Sequence, residues 1–186
     1  QRIKIDTVDD PESPDFSPNG RKIAFAGLRN AVGDIFVVDL ETSEVTNITN
    51  DAFANSGPTW SPDGDFLIYV ARISGNEKLR HVNIATGQKT QVTFGTHDDA
   101  PAQFLDAETI VFSSTATDPV NPLPSDIGQN GQIYNIWTLN LETGALQQYT
   151  DTLGGNTSPV VLETGGQERI AFISYHKGDY ELHVLD

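Results

Sequence analysis

The side chains best suited to chemistry in this sequence are carboxylates and histidines that recur in similar positions. Asp9 and Asp10 precede one Pro-containing segment, and His97, Asp98 and Asp99 precede another. Such carboxylates could coordinate Ca²⁺, which takes six to eight oxygen ligands. They could also attract a basic partner through their summed field. The candidate ligand-binding residues are therefore Asp9, Asp10, His97, Asp98, Asp99 and His176.

Several features weaken the case for a metal. No Asp-x-Asp-x-Asp-Gly loop is present, and Asp is also a favourable turn residue. The histidines lack the spacing of a metal site, and His81 and His183 occupy strand positions that predict packing within a sheet. Ca²⁺ stays open as a cofactor, and no other cofactor is expected.

Catalytic motifs are missing from the sequence. It has no Gly-x-Ser-x-Gly elbow, no Gly-x-x-x-x-Gly-Lys loop, no His-Glu-x-x-His and no Cys. No catalytic residue is therefore assigned. One alternative for the function is nevertheless a metal-dependent enzyme that uses the carboxylates and His97; two hypotheses that rank above it depend on the fold and are given below.

The overall charge restricts the class of partner. The 186 residues carry 11 Lys and Arg against 26 Asp and Glu, a formal net charge of −15. Nucleic acid and anionic membrane surfaces are therefore unfavourable partners, and no apolar run is long enough for membrane insertion. The chain begins with Gln1 and contains no Met, so we expect that polypeptide upstream has been removed.

Internal repeats organise the whole chain. Pro14–Gly20 (PDFSPNG) is echoed by Pro58–Gly64 (PTWSPDG), and more weakly by segments starting at Pro101 and Ser158. A second landmark, Val38-Asp39-Leu40-Glu41-Thr42, recurs in the same phase. We interpret residues 1–186 as a single domain with units at about 14–57, 58–100, 101–158 and 159–186, plus an N-terminal strand at 2–7.

Each unit contains short apolar runs that are separated by turn residues. Four such runs fit a unit, and none of the chain shows a sustained 3.6-residue period, so the fold class is all-β. Runs such as Ile35–Val38 are apolar on both faces, as in a sheet covered on both sides. This pattern predicts a β-propeller of about four four-stranded antiparallel blades.

These residues resemble the TolB-type propeller repeat. The similarity is carried by Trp60-Ser61-Pro62-Asp63-Gly64, by the segment Ile35–Thr42 and by the closing Ile48-Thr49. The third unit has Leu105–Glu108 in place of the Pro-Asp-Gly turn, and the fourth has Thr164-Gly165-Gly166. The resemblance implies a periplasmic or extracellular bacterial protein that serves as an interaction module or is attached to a peptidase domain.

The N-terminal segment suggests how the propeller closes. We expect Arg2–Thr7 to pair with Tyr180–Leu185 as the missing outer strand, which would remove an exposed sheet edge. A piece of a larger propeller and a dimer that shares blades are the alternatives, so the oligomeric state stays open.

The topology of a blade predicts one functional face. Loops between the second and third strands lie on the same side as loops between blades, and they gather the candidate carboxylates together with the Pro-rich segment Thr117–Gly131. The leading hypothesis is a non-catalytic scaffold that binds a protein or peptide with a basic segment there. The alternative is an accessory or gating propeller of a larger peptidase or other hydrolase.

Overall fold

The computed structural model describes residues 3–122, 133–152, 154–164 and 167–185. These residues form fifteen strands and no helix, in agreement with the predicted all-β class. The strands are β1 (Asp9–Phe16), β2 (Lys22–Arg29), β3 (Val32–Asp39), β4 (Val45–Asn47), β5 (Ala54–Trp60), β6 (Phe66–Ile73), β7 (Asn76–Asn83), β8 (Lys89–Gln91), β9 (Gln103–Phe104), β10 (Thr109–Ser114), β11 (Asn135–Asn140), β12 (Leu146–Gln148), β13 (Asn156–Thr164), β14 (Gln167–His176) and β15 (Asp179–Leu185).

The strands form four antiparallel sheets, each built from consecutive strands. Blades 1, 2 and 3 contain β1–β4, β5–β8 and β9–β12, and blade 4 contains β13–β15. The predicted propeller architecture is thus confirmed.

The repeated Ser-Pro-Asn/Asp-Gly segments form the same turn in blades 1 and 2. The Ser17 N–H donates to the Lys22 carbonyl at 2.9 Å, and the Ser61 N–H donates to the Phe66 carbonyl at 3.0 Å. Gly20 and Gly64 have φ of 66° and 79°, a conformation that L side chains rarely adopt. The Ser-Pro-Asn/Asp-Gly sequence therefore recurs because both blades form the same turn, which requires a residue with positive φ at its last position.

The sequence repeat predicts a first strand of two or three residues after the repeated Pro. β9 of blade 3 has this length, whereas β1, β5 and β13 are longer. β1 and β5 begin before Pro14 and Pro58, and the pairing registers shift at these prolines. The residues just before them, Ser13 and Gly57, have φ of 50° and 56°. These are β-bulges, which accommodate a residue without an N–H inside a sheet.

Apolar side chains fill the space between neighbouring blades. The first junction packs blade 1 residues such as Ile35 and Val37 against Leu67 and Tyr69 of blade 2. Equivalent clusters join blades 2 and 3 and blades 3 and 4. Because inner blades are covered on both faces, their strands do not alternate between apolar and polar residues.

Within the described residues, the predicted closure between the two ends of the chain does not form. Arg2 lies outside the described residues, residues 3–7 adopt no strand, and the strands with a described structure pair β15 only with β14. Among the described elements, no strand of blade 1 contacts a strand of blade 4. The N-terminal residues Ile3 and Ile5 instead pack against Phe25, Phe36 and Val38 of blade 1, because that apolar face has no blade in front of it.

Parts of two predicted loops lie outside the described residues. Of Thr117–Gly131, residues 117–122 are described, and the Phe94 N–H donates to the Pro119 carbonyl at 2.9 Å. The turn predicted at Thr164-Gly165-Gly166 includes Gly165 and Gly166, which lie outside the described residues. No helix capable of crossing a bilayer is found in the part of the chain that the structure describes.

Candidate protein-binding face

The loops between second and third strands, together with the loops between blades, form one edge of the propeller, here termed the upper rim. Asp9 and Asp10 lie at this edge, since Asp9 pairs opposite Leu28, one residue before the end of β2. Asp9, Asp10 and the nearby Glu12 are exposed. The upper rim of blade 1 therefore presents three carboxylates to solvent.

Asp99 does not point to the rim as the sequence predicted. Its side chain is 0% exposed and forms an ion pair with Lys78 Nζ at 3.1 Å, where Lys78 is itself 1% exposed. The Thr93 hydroxyl donates to the same carboxylate oxygen at 2.6 Å. Asp99 thus joins blade 2 to the segment that leads into blade 3.

The ion pair is one version of a polar contact that recurs between blades. In each of the first three blades, a Thr hydroxyl after the fourth strand accepts the N–H of a third-strand residue, at 2.8–2.9 Å. It also donates to a buried side chain, which is Asp34 for Thr49, Asp99 for Thr93 and Asn135 for Thr150. The Ile48-Thr49 repeat was the sequence signal for this network.

The burial of Asp99 follows from its place in this network. Lys78 occupies the third-strand position that Asp34 and Asn135 hold in the other blades, and Asp99 lies opposite it at the start of the next blade. Asn156 lies at the equivalent place in blade 4, where its amide donates to Asn135 Oδ1 at 3.3 Å. A buried Lys requires an acidic partner, so the residue opposite Lys78 is an Asp, whereas the residue opposite Asn135 is Asn156.

His97 and Asp98 are also largely committed to the fold. His97 is buried, with Nε2 at 3.3 Å from the second carboxylate oxygen of Asp99. Asp98 is half-buried and accepts the Glu77 N–H at 3.0 Å and the Asn76 amide at 3.3 Å. Equivalent loop positions therefore hold exposed carboxylates in blade 1 and structural ones before blade 3.

The remaining candidate, His176, and two further acidic residues lie on other parts of the upper rim. His176 is exposed at the end of β14, and Asp151 is exposed between blades 3 and 4. Asp51 is half-buried and forms an ion pair with Arg80 at 3.1 Å. The candidate residues thus do not form one cluster, and among them Asp9 and Asp10 lie together in exposed positions, next to the exposed Glu12.

Strand β1, which carries the exposed carboxylates, also borders a cleft of about 210 Å³ from Ser13 onward. Inner-strand residues of the first three blades line it, among them Ser13, Asp15, Thr59 and Gln103. Asp15 accepts the Trp60 N–H at 2.7 Å, and burial raises the pKa of its carboxyl above the ordinary Asp value. The sequence analysis did not identify this cleft, whose lining includes hydroxyl, amide and carboxyl groups.

The structure provides no support for the Ca²⁺ hypothesis. Within the described ranges, no three acidic or His side chains lie close enough together to hold a metal ion. His81 and His183 stack on Phe66 and Phe172, each with ring centroids 5.4 Å apart. Both histidines therefore have the packing role that the sequence predicted.

His81 should make the fold sensitive to acid. Burial lowers the pKa of its imidazole below the ordinary value of 6.5, so the unfolded chain takes up the proton first as the pH falls. Stability from neutral His81 is present above about pH 6.5 and is lost as the pH falls through the lowered pKa. We expect His81→Phe to reduce the drop in Tm between pH 7.5 and 5.5.

His183→Phe provides the matched control, since His183 stacks on Phe172 in an exposed position. Thermal unfolding followed by circular dichroism gives the Tm of wild type, His81→Phe and His183→Phe at pH 7.5 and 5.5. Equal acid sensitivity of wild type and His81→Phe would contradict the assignment.

The sequence of this chain is similar to a known protein family and to several bacterial proteins. The model of the TolB beta propeller domain matches residues 7–127. A TolB homologue of Chlorobaculum tepidum is 35% identical over 73 residues, which is 39% of this chain and 17% of that protein. Dipeptidyl-peptidase 5 of Porphyromonas gingivalis is 30% identical over 93 residues, covering 47% of this chain and 14% of that protein.

A solved structure agrees with the fold. The crystal structure of TolB from Acinetobacter baumannii superposes with a TM-score of 0.75 at 23% identity, covering 96% of this chain and 41% of that one. The chain thus spans less than half the length of each of these proteins.

Proposed function

Because the chain belongs to the TolB beta propeller domain family, we propose that it is a non-catalytic scaffold that binds a basic segment of another protein. The binding region is the upper rim of blade 1. The observation that carries this proposal is the group of exposed carboxylates of Asp9, Asp10 and Glu12 on β1, the strand that then lines the cleft with Ser13 and Asp15.

Electrostatics support a cationic ligand. The chain has a net charge of −15, so a Lys- or Arg-rich segment experiences attraction before contact, and such steering raises association rates. The cleft that β1 borders then supplies hydroxyl, amide and carboxyl groups that hold an extended backbone. Specific binding would combine this long-range attraction with short-range hydrogen bonds.

The family also suggests where the protein works. Relatives in Francisella tularensis are named Tol-Pal system protein TolB, and the resemblance implies a periplasmic protein. An extracellular location belongs to the same proposal.

A second function is favoured by one relative. The similarity to dipeptidyl-peptidase 5 supports the alternative of an accessory propeller that gates a hydrolase domain. In that case the exposed carboxylates of Asp9, Asp10 and Glu12 would attract basic substrates and guide them toward a catalytic domain.

A charge-neutralised rim tests the proposal. We expect Asp9→Asn/Asp10→Asn/Glu12→Gln to slow association with a fluorescein-labelled peptide of alternating Lys and Ser about tenfold at low salt, since steering depends on the local field. Asn tolerates the positive φ of 49° at position 10. Stopped-flow fluorescence anisotropy gives the rate.

A control triple variant removes three negative charges from the edge of the propeller opposite the upper rim. Glu41, Glu44 and Glu142 are exposed in turns between third and fourth strands, so their replacement by Gln changes the net charge equally. Equal slowing by both triple variants would show that only total charge matters, and would contradict a site on blade 1.

A further inference from the structure

A cavity of about 340 Å³ opens at the edge of the propeller opposite the upper rim. The turns between first and second strands and between third and fourth strands form this edge, here termed the lower edge. Residues of blade 2 and blade 3 line the cavity together. The function proposed for blade 1 does not use it.

The interior of the cavity is aromatic and apolar. Phe104 at the end of β9 is buried, and Leu141 after β11 is half-buried. On the side of blade 2, Phe66 and His81 stack with an angle of 13° between their rings. Both rings lie on the face of blade 2 that packs against blade 3, because Ile68, two residues after Phe66, belongs to the cluster between these blades.

The aromatic pair distinguishes this junction from the corresponding positions of the repeat. The backbone bonds of the first turn align Phe66 with one residue in each neighbouring blade, and strand pairing aligns His81 in the same way. The corresponding pairs are Lys22 with Val37 in blade 1 and Thr109 with Thr138 in blade 3. Only blade 2 of these three therefore places two stacked rings at the lower edge.

A smaller residue at the end of the first strand of blade 3 contributes to the space. Trp60 ends the first strand of blade 2 and is buried in the junction between blades 1 and 2. Phe104 holds the same place in blade 3, since Trp60 pairs with Leu67 and Phe104 pairs with Ile110. A phenyl ring fills less volume than an indole, and the turn after Phe104 adds only the small Ala107 to the lining.

Three exposed carboxylates lie at the mouth of the cavity, those of Asp63, Glu108 and Glu142. The Ser61 hydroxyl donates to the Asp63 carboxylate at 2.5 Å and lowers its pKa, so Asp63 is ionised at neutral pH. No Lys or Arg is among the described residues that line the cavity. The mouth therefore attracts cations.

The spacing of these carboxylates favours a polyatomic cation over a metal ion. No three acidic or His side chains in the described ranges lie close enough together to share a metal. An organic cation can instead place its charge at the mouth and its apolar part against the rings inside. Aromatic faces also attract cations directly.

We propose that this cavity binds an organic cation that carries an aromatic ring. The ring lies between the walls of blades 2 and 3, where burial of apolar surface stabilises it. The cationic group faces the carboxylates at the mouth. His81 does not oppose this charge at pH 7.5, because burial lowers the pKa of its imidazole below 6.5. A peptide of alternating Lys and Ser has no aromatic group, so the cavity selects a different ligand from the upper rim of blade 1.

Benzamidine is the probe, with two matched compounds that each lack one of its features. Benzamide keeps the ring and the shape but is neutral, and acetamidine keeps the charge but has no ring. Isothermal titration calorimetry at pH 7.5 should give benzamidine a dissociation constant of about 1 mM or below. Benzamide and acetamidine should each bind about tenfold more weakly or worse, since each loses either the charge or the ring contacts.

Two variants test whether the ligand occupies the cavity. Phe104→Trp introduces the residue that ends the first strand of blade 2, and it should weaken benzamidine binding about tenfold by filling the space. Ala107→Arg places a guanidinium at the mouth and should weaken binding similarly, about tenfold. Because Ala107 is exposed in a turn, this second variant tests the proposal even if Phe104→Trp does not fold. Circular dichroism verifies the fold of each protein.

A pair of charge variants tests the role of the mouth. Glu108→Gln/Glu142→Gln removes two of its carboxylates and should weaken benzamidine binding about fivefold at low salt. Glu41→Gln/Glu44→Gln is the matched control, because it removes two exposed charges from the lower edge of blade 1. The control should bind benzamidine as wild type does. Equal weakening by both double variants would contradict a site between blades 2 and 3.

NMR of the imidazole C–H groups locates the ligand without any substitution in the cavity. His81 lines the cavity, whereas His183 stacks on Phe172 in blade 4 with the same distance of 5.4 Å between ring centroids. Benzamidine should shift the His81 resonance progressively to saturation and leave the His183 resonance unchanged. An unshifted His81 resonance, equal affinity for benzamide, or binding that neither Phe104→Trp nor Ala107→Arg weakens would overturn the proposal.

Discussion

Asp99→Ala should destabilise the protein by about 3–5 kcal/mol, because it leaves the ammonium of Lys78 buried without a counter-charge. Both partners are almost completely removed from solvent. The substitution also removes the acceptor of the Thr93 hydroxyl and the carboxylate next to His97. Urea unfolding followed by tryptophan fluorescence measures the change.

Two variants separate the ion pair from general effects of losing an Asp. Asp9→Ala changes an exposed carboxylate and should alter the free energy of unfolding by less than about 0.5 kcal/mol. The double variant Lys78→Met/Asp99→Leu removes both charges and should recover most of the lost stability, since apolar pairs often replace buried ion pairs at little cost. An Asp99→Ala protein as stable as wild type would refute the buried pair.

Phe112→Ala should have a comparable effect by a different mechanism. The Phe112 side chain is 0% exposed and lies in the cluster between blades 2 and 3, beside Ile110 and Trp137. Its removal loses the burial of an aromatic ring and leaves a cavity, which together cost about 3–5 kcal/mol in protein cores. The same unfolding measurement applies.

Phe16→Ala is the matched control, since the Phe16 ring is largely exposed. It should change the free energy of unfolding by less than about 0.5 kcal/mol. If the two Phe variants lose similar stability, the described packing between blades 2 and 3 is incorrect.

The propeller fold could be predicted because each sequence repeat contains residues that determine local structure. The Ser-Pro-Asp-Gly segment specifies a turn that needs a Gly with positive φ at position 64, and the double-sided apolar runs specify sheets covered on both faces. The length of β1 was not predictable in this way. A Pro normally interrupts a strand, and only the bulge at Ser13 and Pro14 allows pairing to continue.

The candidate site was only partly predictable from the sequence. Asp10 and Asp99 occupy similar loop positions, yet one is exposed and the other is buried. The difference arises from Lys78, which lies about twenty residues away on a third strand, so no local pattern around Asp99 reveals it. Long-range pairing between blades decides which carboxylates are available to a partner.

Hydrogen–deuterium exchange tests the central claim of a basic-segment site on blade 1 most directly. The protein is compared with and without a saturating concentration of the alternating Lys-Ser peptide. We predict slower exchange in residues 9–16 and 54–60, which border the carboxylates and the cleft, with no change in the turn at 41–44. Protection confined to 41–44, or absent from residues 9–16, would contradict the proposed binding face.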